Sequence, residues 1–409
     1  MPTALLLRIF EAYPEEERVN FDLAPKEQAF EQEVERFLEE NASPDVMDEH
    51  SEQLSQTVDS PAKRAFMRKL SDRGWLGMSW PGVYGGGERS GIYDFVLTEA
   101  LSRRGAPQPG KGVGIVGKTI IRHGNAKLKE YFLPRIIRAE IEFAIGYSEP
   151  QSGSDAASMQ LKAEKVEGGW KLDGHKIWTT SAHFADWYWV GARSDPHDKH
   201  GGITLFLVEM DHPGLSIHPT WTIGDERTNE VFFDDVFVSD DFVVGNVGEG
   251  WRYICEALDL ERFAMMPVGP LEEKVAALVA WVKGSRRDDL PVRERPDARR
   301  RVAQAVTQLE VARMLQRRVI SEALQDRVPT VESSQYKLYM NELGQRVANW
   351  ALDVMGASGQ LKPGEADAPV GGRFERSYRY TVVDTIGGGT SEIQKNIIAR
   401  RGLGLPRCF

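Results

Sequence analysis

The apolar positions of this chain change their period twice. From about Pro25 to Glu140 they recur every three or four residues, as a helix buried along one face requires. The run PKEQAFEQEVERFLEENASPD puts Phe30, Val34 and Phe37 on one stripe and stops at a proline-containing turn. SPAKRAFMRKLSDRGWLG predicts a second helix through Phe66 and Leu70, closed by Gly74. GIYDFVLTEALSRRG predicts a third, closed by Gly105, and WPGVYGGGERSG between them reads as a loop. From Phe143 to about Gly245 the period becomes that of strands. WKLDGHKIWTT, ADWYWVGARS, GGITLFLVEM and EVFFDDVFVSDDFVVG are short β-branched and aromatic runs, separated by EGG, SDPHDKHGG and DHPG. Such spacing predicts a small antiparallel sandwich or barrel. From Gly250 the helical period returns in EGWRYICEALDLERFAMMPVGPLEEKVAALVAWVKG, in ARRRVAQAVTQLEVARMLQRRVISEALQD and in SSQYKLYMNELGQRVANWALDVMG. Two prolines allow the first of these to divide. LKPGEADAPVGG reads as a loop, and a glycine-rich turn then leads into a last helix. The expected organisation is an α+β chain with an arm at 1–23, a helical domain at 24–142, a β domain at 143–248 and a helical domain at 249–409. For the arm, LLLRIFEAY suits an amphipathic segment, a partner contact or disorder equally well.

Composition narrows the function. The chain has 409 residues, 41% hydrophobic and 27% charged, as a globular protein does. With 51 basic against 61 acidic side chains it carries a net charge of −10, which argues against general nucleic-acid binding. No apolar run approaches the roughly 20 residues that span a bilayer. Ala4 to Leu7 is too short for the core of a secretion signal. Two cysteines, Cys255 and Cys408, exclude a disulfide scaffold and a cysteine metal site and fit a reducing cytoplasm.

Three segments could carry chemistry. GYSEPQSGSD (Gly146 to Asp155) packs hydroxyl residues around glycines, which suits phosphates and ring edges, although composition alone favours a polar surface turn. HKIWTTSAHFADW sets Trp178 beside Thr179 and Thr180, where the indole could wall a flat cofactor or sit in the sandwich core. GGGTSEIQ (Gly387 to Gln394) is a tight turn at a helix start whose free N–H groups suit anionic or carbonyl oxygens, with Thr390 or Ser391 as plain cap.

In this order, and with an α–β–α layout, these segments resemble the acyl-CoA dehydrogenase family. The resemblance covers about Leu23 to Pro406. It rests also on RGWLGMSWPGVYGGG, on AKLKEYFLPRIIRAEIEFAIGYSEPQSGSD and on VFFDDVFVSDDFVVGNVGEGW. It implies a C-terminal four-helix bundle and FAD bound between the β domain and the C-terminal helices, with help from a neighbouring subunit. Tyr147, Ser148, Gly153 and Ser154 would contact the flavin or its ribityl chain, and Ser154 also the acyl-CoA. Trp178 and Thr180 would flank the ring, while Thr390 and Glu392 would meet the adenosine half. The implied reaction is α,β-dehydrogenation of an acyl-CoA thioester to the trans-2-enoyl-CoA. A carboxylate removes the α-proton and the β-hydrogen leaves as hydride to flavin N5. Electrons then pass to an electron-transfer flavoprotein. The chemistry itself asks for hydrogen-bond donors on the thioester carbonyl and a base whose pKa burial raises.

The chain departs from the family pattern where the base usually stands. Many members carry a Glu just before the Gly-Thr of the last signature, and Gly388 occupies that place. Isovaleryl-CoA dehydrogenase carries its base on the helix after the β domain instead. There LDLERF puts Glu261 on the matching position, with Asp259 and Arg262 beside it as substrate contacts. Read without the resemblance, Glu261 is a solvated helix glutamate. Gly388 keeps an N–H for the thioester carbonyl. Arg287, in RDDLP, stands where the family's Arg-x-x-Phe-Gly meets the flavin pyrophosphate, but Leu290 and Pro291 break that motif. DVMGASG has Asp353 where Gln is expected. These departures weigh against a symmetric homotetramer. They resemble actinobacterial dehydrogenases of sterol side chains, often heterotetramers, so a homo- or heterotetramer stays open, as does fatty-acid against steroid substrate.

Two rivals remain: a non-catalytic subunit completing another chain's flavin site, and an acyl-CoA oxidase or monooxygenase on the same fold. HDKH (His197, His200) has no third ligand and reads as a solvated turn, so no metal is expected. His175 and His183 flank Trp178 as packed or surface residues. RRDDLPVRERPDARRR reads as a solvated loop rather than a CoA-phosphate surface.

Overall fold

The computed structural model describes residues 23–48, 50, 52, 57–264, 267–324 and 329–406. The arm before residue 23 and the side chains of 259–264, 323 and 324 lie outside the described residues. The helical first region contains α1 (Pro25–Asn41), α2 (Pro61–Asp72), α3 (Ile92–Arg103), α4 (Gly117–His123) and α5 (Ala126–Ile137). Phe30, Val34 and Phe37 of α1 are buried as the stripe predicts, and Trp75 packs edge-on against Phe30 and Phe37. Ser60 caps α2 by accepting from Lys63 N at 3.2 Å, and Pro61 occupies its first turn, where no N–H is missed. After α3 the chain turns at Gly105 (φ +68°), where a Cβ would collide with the Asp48 carbonyl.

Eight strands follow: β1 (Phe143–Gly146), β2 (Lys162–Val166), β3 (Gly169–Lys176), β4 (Trp187–Arg193), β5 (Ile203–Glu209), β6 (Leu215–Trp221), β7 (Arg227–Ser239) and β8 (Val243–Val244). They pair in the order β6-β7-β3-β2-β4-β5-β8, with β1 branching from β4. The sheet does not close into a barrel. All pairings are antiparallel except β1 with β4 and the single bridge of β2 to β4 at Lys162 and Arg193. The parallel pair arises because β1 enters directly from the helices and the chain returns to β4 only after the long excursion that carries both central motifs. The edge strand β6 escapes a pattern reading because Pro219 and polar residues interrupt it, as the end of a sheet tolerates.

β4 is buried on both faces. Trp187 and Trp189 pack against Val116, Ile120, Phe132 and Ile254 of the helical regions, while Tyr188, Val190 and Ala192 face the interior of the folded sheet. The remaining helices are α6 (Gly250–Ala264), α7 (Gly269–Gly284), α8 (Pro296–Leu324), α9 (Thr330–Met355), α10 (Arg373–Asp384) and α11 (Ser391–Ile397). The break between α6 and α7 falls at the expected prolines, with Pro270 in the first turn of α7. Leu278, Leu309, Leu343, Val347 and Phe374 draw α7, α8, α9 and α10 into one core. Part of the charge run is not loop but a hairpin, β9 (Arg286–Arg287) with β10 (Leu290–Pro291). Asp288 and Asp289, at φ +51° and +60°, form its two-residue turn.

Glu99 of α3 binds the first region to the last. Its carboxyl accepts from Val268 N at 3.1 Å and Gly269 N at 3.2 Å, N–H groups that the start of α7 leaves unpaired. Burial pushes Glu99 from its ordinary 4.5 up to about 7. The unfolded residue therefore ionises first as pH rises. Its share of stability is complete below about 4.5 and is lost by about 7. Glu142 and Asp384, also pushed up to about 7 by burial, act in the same sense. Glu99→Gln keeps an acceptor for α7 without the titration. Thermal melts from pH 5 to 8 should show a smaller loss of Tm in this variant than in the parent, and an equal loss would contradict the assignment.

Candidate active site

The loop after β1 is built around a buried ion pair. Glu149 N and Ser152 N donate to each other's carbonyls at 2.8 and 3.0 Å, closing a tight turn. The Glu149 carboxylate points inward, where it accepts from Gln160 N (2.5 Å), Leu161 N (2.8 Å) and Lys176 Nζ (2.8 Å). Both side chains are almost fully enclosed, at 1% and 0% exposure. Lys176 also donates to the Tyr147 carbonyl at 3.3 Å, and burial pulls its ammonium down to about 8. Tyr147 OH accepts from Trp189 Nε1 at 2.7 Å. Gly153 and Ser154 lie exposed on the outer part of the same loop.

The second motif is tied to the first. Ile177 N donates to the Ser148 carbonyl at 3.0 Å. Trp178 then takes a left-handed backbone (φ +62°) and stands 55% exposed, which excludes the sandwich-core reading. A bulky residue holds such a conformation only where its neighbours fix it, at a cost on the order of 1–3 kcal/mol. The fixing is visible. Thr179 N donates to the Asn229 carbonyl at 3.0 Å, Asn229 Nδ2 donates back to the Thr179 carbonyl at 2.8 Å, and Thr179 Oγ1 bonds Tyr188 OH at 2.7 Å. Thr180 is exposed beside it.

The third motif stands apart. Gly388 and Gly389 turn at φ +65° and +96°, and Thr390 spends its hydroxyl accepting from Ile393 N at the start of α11. Gln394 Nε2 donates to the Gly389 carbonyl at 3.0 Å, and Lys337 and Asn341 both donate to the Asp384 carbonyl where α10 ends. Glu392 is exposed. Arg287 donates to the Asp353 and Val354 carbonyls at 3.4 and 3.2 Å, closing the end of α9 over Gly356. The backbone of α6 runs through Asp259, Glu261 and Arg262, whose side chains lie outside the described residues.

A cavity of about 190 Å³ opens between α3, the turn before α4 and the segment after Trp178. Trp75, Leu97, Ile115 and Phe143 line it with Asp94, Lys118, Lys111 and Glu142, and Pro267, just beyond α6, closes one side. Burial raises Asp94 as it does Glu142. A larger space of about 460 Å³ between α1, α3 and α8 touches none of the motif residues. His175 stacks on Phe232 and His183 meets Asn229, so both belong to the packing of this sheet. His197 and His200 lie in an exposed turn, and among the described residues no three His, Cys, Asp or Glu side chains gather as a metal would need.

Reading the sequence missed Glu149, Lys176 and Asn229. The first two lay inside motifs already singled out. Lys176 falls on the alternating positions of Trp170 and Leu172 in β3, and that was the available signal, but its partner is 27 residues away.

Three family descriptions match the chain: acyl-CoA dehydrogenase N-terminal domain at residues 24–140, middle domain at 144–236 and C-terminal domain at 248–403. The chain is similar to acyl-CoA dehydrogenase FadE29 of Mycobacterium tuberculosis, 30% identical over 94% of this chain and 98% of that one. Among solved structures it is similar to the Tcur3481–Tcur3483 steroid ACAD, with a TM-score of 0.86 and 31% identity over 95% of this chain and 100% of that one. It is also similar to a chain of the ChsE4–ChsE5 complex from Mycobacterium tuberculosis, with a TM-score of 0.86 and 27% identity over 95% of this chain and 100% of that one.

Lys176→Met should destabilise the protein by about 3–5 kcal/mol, because it strands the Glu149 charge in the interior. Lys176→Met with Glu149→Gln should recover most of that loss. Denaturant melts check both, and a double variant no more stable than the single one would show that the buried charge is not the cause.

Proposed function

The chain belongs to the acyl-CoA dehydrogenase family, and on that premise we propose that it converts an acyl-CoA thioester to the trans-2-enoyl-CoA with Glu261 as its own base. The observation that carries the reading is Trp178. An exposed indole, held in a strained backbone and anchored to the 147–154 loop, makes a fixed flat wall beside backbone groups and hydroxyls. An exposed indole in such a backbone suits a flat group packed on its face.

These residues fit a flavin. Tyr147, Ser148, Gly153, Ser154, Trp178 and Thr180 would hold the ring and ribityl chain, and Arg287, Thr390 and Glu392 the phosphate and adenosine half. When bound, FAD supplies the acceptor for the β-hydride. The chain's own work is the proton and the charge. Glu261 takes the α-proton. By helical period, position 261 falls two turns beyond Ile254 on α6. The role asks for a carboxyl whose pKa burial raises towards that of a useful base. Gly388 N–H donates to the thioester carbonyl and stabilises the enolate-like charge. Asp259, Arg262 and Ser154 contact the substrate.

The name of one similar structure favours a steroid-derived acyl group, and the paired names of two favour assembly with an unlike chain, as in a heterotetramer rather than a homotetramer. Electrons would pass to an electron-transfer flavoprotein. No helix among the described residues is long and apolar enough to cross a membrane, and two cysteines suit the cytoplasm.

Glu261→Gln should bind flavin normally and lose about 10²–10⁴-fold in kcat. Turnover at the parent rate in the purified assembly would assign the base to another chain and leave this one a structural subunit.

A further inference from the structure

We infer that Arg376 and Arg379 are positioning residues for the dehydrogenation: they clamp the β6–β7 turn onto α10 and so set the spacing between the Trp178 wall and the Gly388 turn. This rests on the dehydrogenase reading and names what holds the two halves of its site in register.

The halves come from different parts of the fold. Trp178 belongs to the β domain, and the Gly388 turn follows α10. The proposed reaction needs both, one half for the ring and the other for the thioester carbonyl. The bonds inside each half set its own shape and not the gap between them.

Residues 222–226 span that gap. Thr222 Oγ1 accepts from Gly224 N at 3.2 Å and Glu226 N at 3.3 Å, and Thr222 N donates to the Glu226 carbonyl at 2.9 Å, which stiffens the turn. On the helix side, Arg379 Nη1 donates to the Ile223 carbonyl at 2.8 Å and to the Asp225 carboxylate. Its other two nitrogens hold both oxygens of Glu375, at 2.6 and 2.9 Å. Arg376 donates to Glu226 at 3.1 Å and pairs with Asp48 at 3.6 Å. Gly224 lets the two backbones meet, since a Cβ there would stand 2.9 Å from Tyr380 Cα. On the sheet side, Arg227 Nε donates to Asn229 Oδ1 at 3.0 Å, and Asn229 is the buried residue that fixes Thr179 beside Trp178. Both arms of the linkage are short. Extended chain covers roughly 10 Å from Glu226 to Asn229. Helix covers about 8 Å from Arg379 to Asp384, where the glycine turn begins.

Exposed ion pairs fix little. This clamp is different, because the Arg379 and Glu375 side chains are only 13% and 11% exposed. One planar guanidinium serves a carboxylate on its own helix and two acceptors on the turn, a fork that the single ammonium of lysine cannot reproduce. The arrangement therefore specifies a position as well as a contact.

The test compares the flavin-loaded parent with Arg379→Lys, which keeps the charge and loses the fork, well below the Tm of either. Turnover gives kcat. Calorimetry gives the affinity of the apoprotein for FAD and of the holoenzyme for the enoyl product. In Arg379→Lys kcat should fall about 10–100-fold, as a misplacement of about 1 Å suffices for, while both affinities stay within about twofold because each half keeps its own contacts. Arg227→Met should act in the same sense and add little to Arg379→Lys, since the two break one linkage. Arg376→Met provides the same reading if Arg379→Lys does not fold. An unchanged kcat, or a flavin affinity that falls in step with Tm, overturns the inference while leaving the dehydrogenase intact. A parent that turns over no thioester overturns the dehydrogenase reading itself, and this inference with it.

Discussion

The site depends on one buried ion pair. Lys176 ends β3 and Glu149 begins the turn after β1, and neither charge reaches water. Such a pair is a poor source of net stability, because desolvation offsets most of the attraction. Its effect is positional. The Glu149 carboxylate gathers two backbone N–H groups and one ammonium, and Lys176 reaches back to the Tyr147 carbonyl. With that knot tied, the Ile177–Ser148 bond can form, and Trp178 is held outward in a backbone it would not otherwise keep. The strain of one indole is thus supported by charge buried one layer below.

The other half of the site is arranged around an absence of side chain. Gly388 stands where a carboxylate is common in the family, in a left-handed turn that disfavours any larger residue. Lys337, Asn341 and Gln394 hold the surrounding carbonyls, so the turn is defined even though it presents only backbone. The proposed division of labour follows: a fixed N–H at Gly388 for the carbonyl, and a carboxylate on α6 for the proton. Separating the two roles leaves space on the turn side of the substrate, which a bulky acyl group would need.

Much of the fold was legible because its periods are strong. The Phe30–Val34–Phe37 stripe, the glycines closing α2 and α3, and the break at Pro267 each obey one local rule. The edge strand β6 and the parallel pairing of β1 did not show, because one is interrupted by Pro219 and the other depends on where a distant strand returns. Within the site, the order of motifs carried the family, and the structure joined two of them through a backbone bond no composition could reveal. Glu149, Lys176 and Asn229 stayed hidden for the same reason. Their meaning lies in partners 27 or 50 residues away, and each alone reads as an ordinary polar residue.

The central claim is that this chain holds a flavin able to take hydride from an acyl-CoA. Anaerobic titration of the purified flavoprotein with a panel of acyl-CoA thioesters tests it most directly, by following the visible flavin absorbance. The account predicts bleaching, in proportion to added thioester, by at least one bulky acyl-CoA. Full flavin occupancy with no bleaching by any thioester in the panel would contradict it.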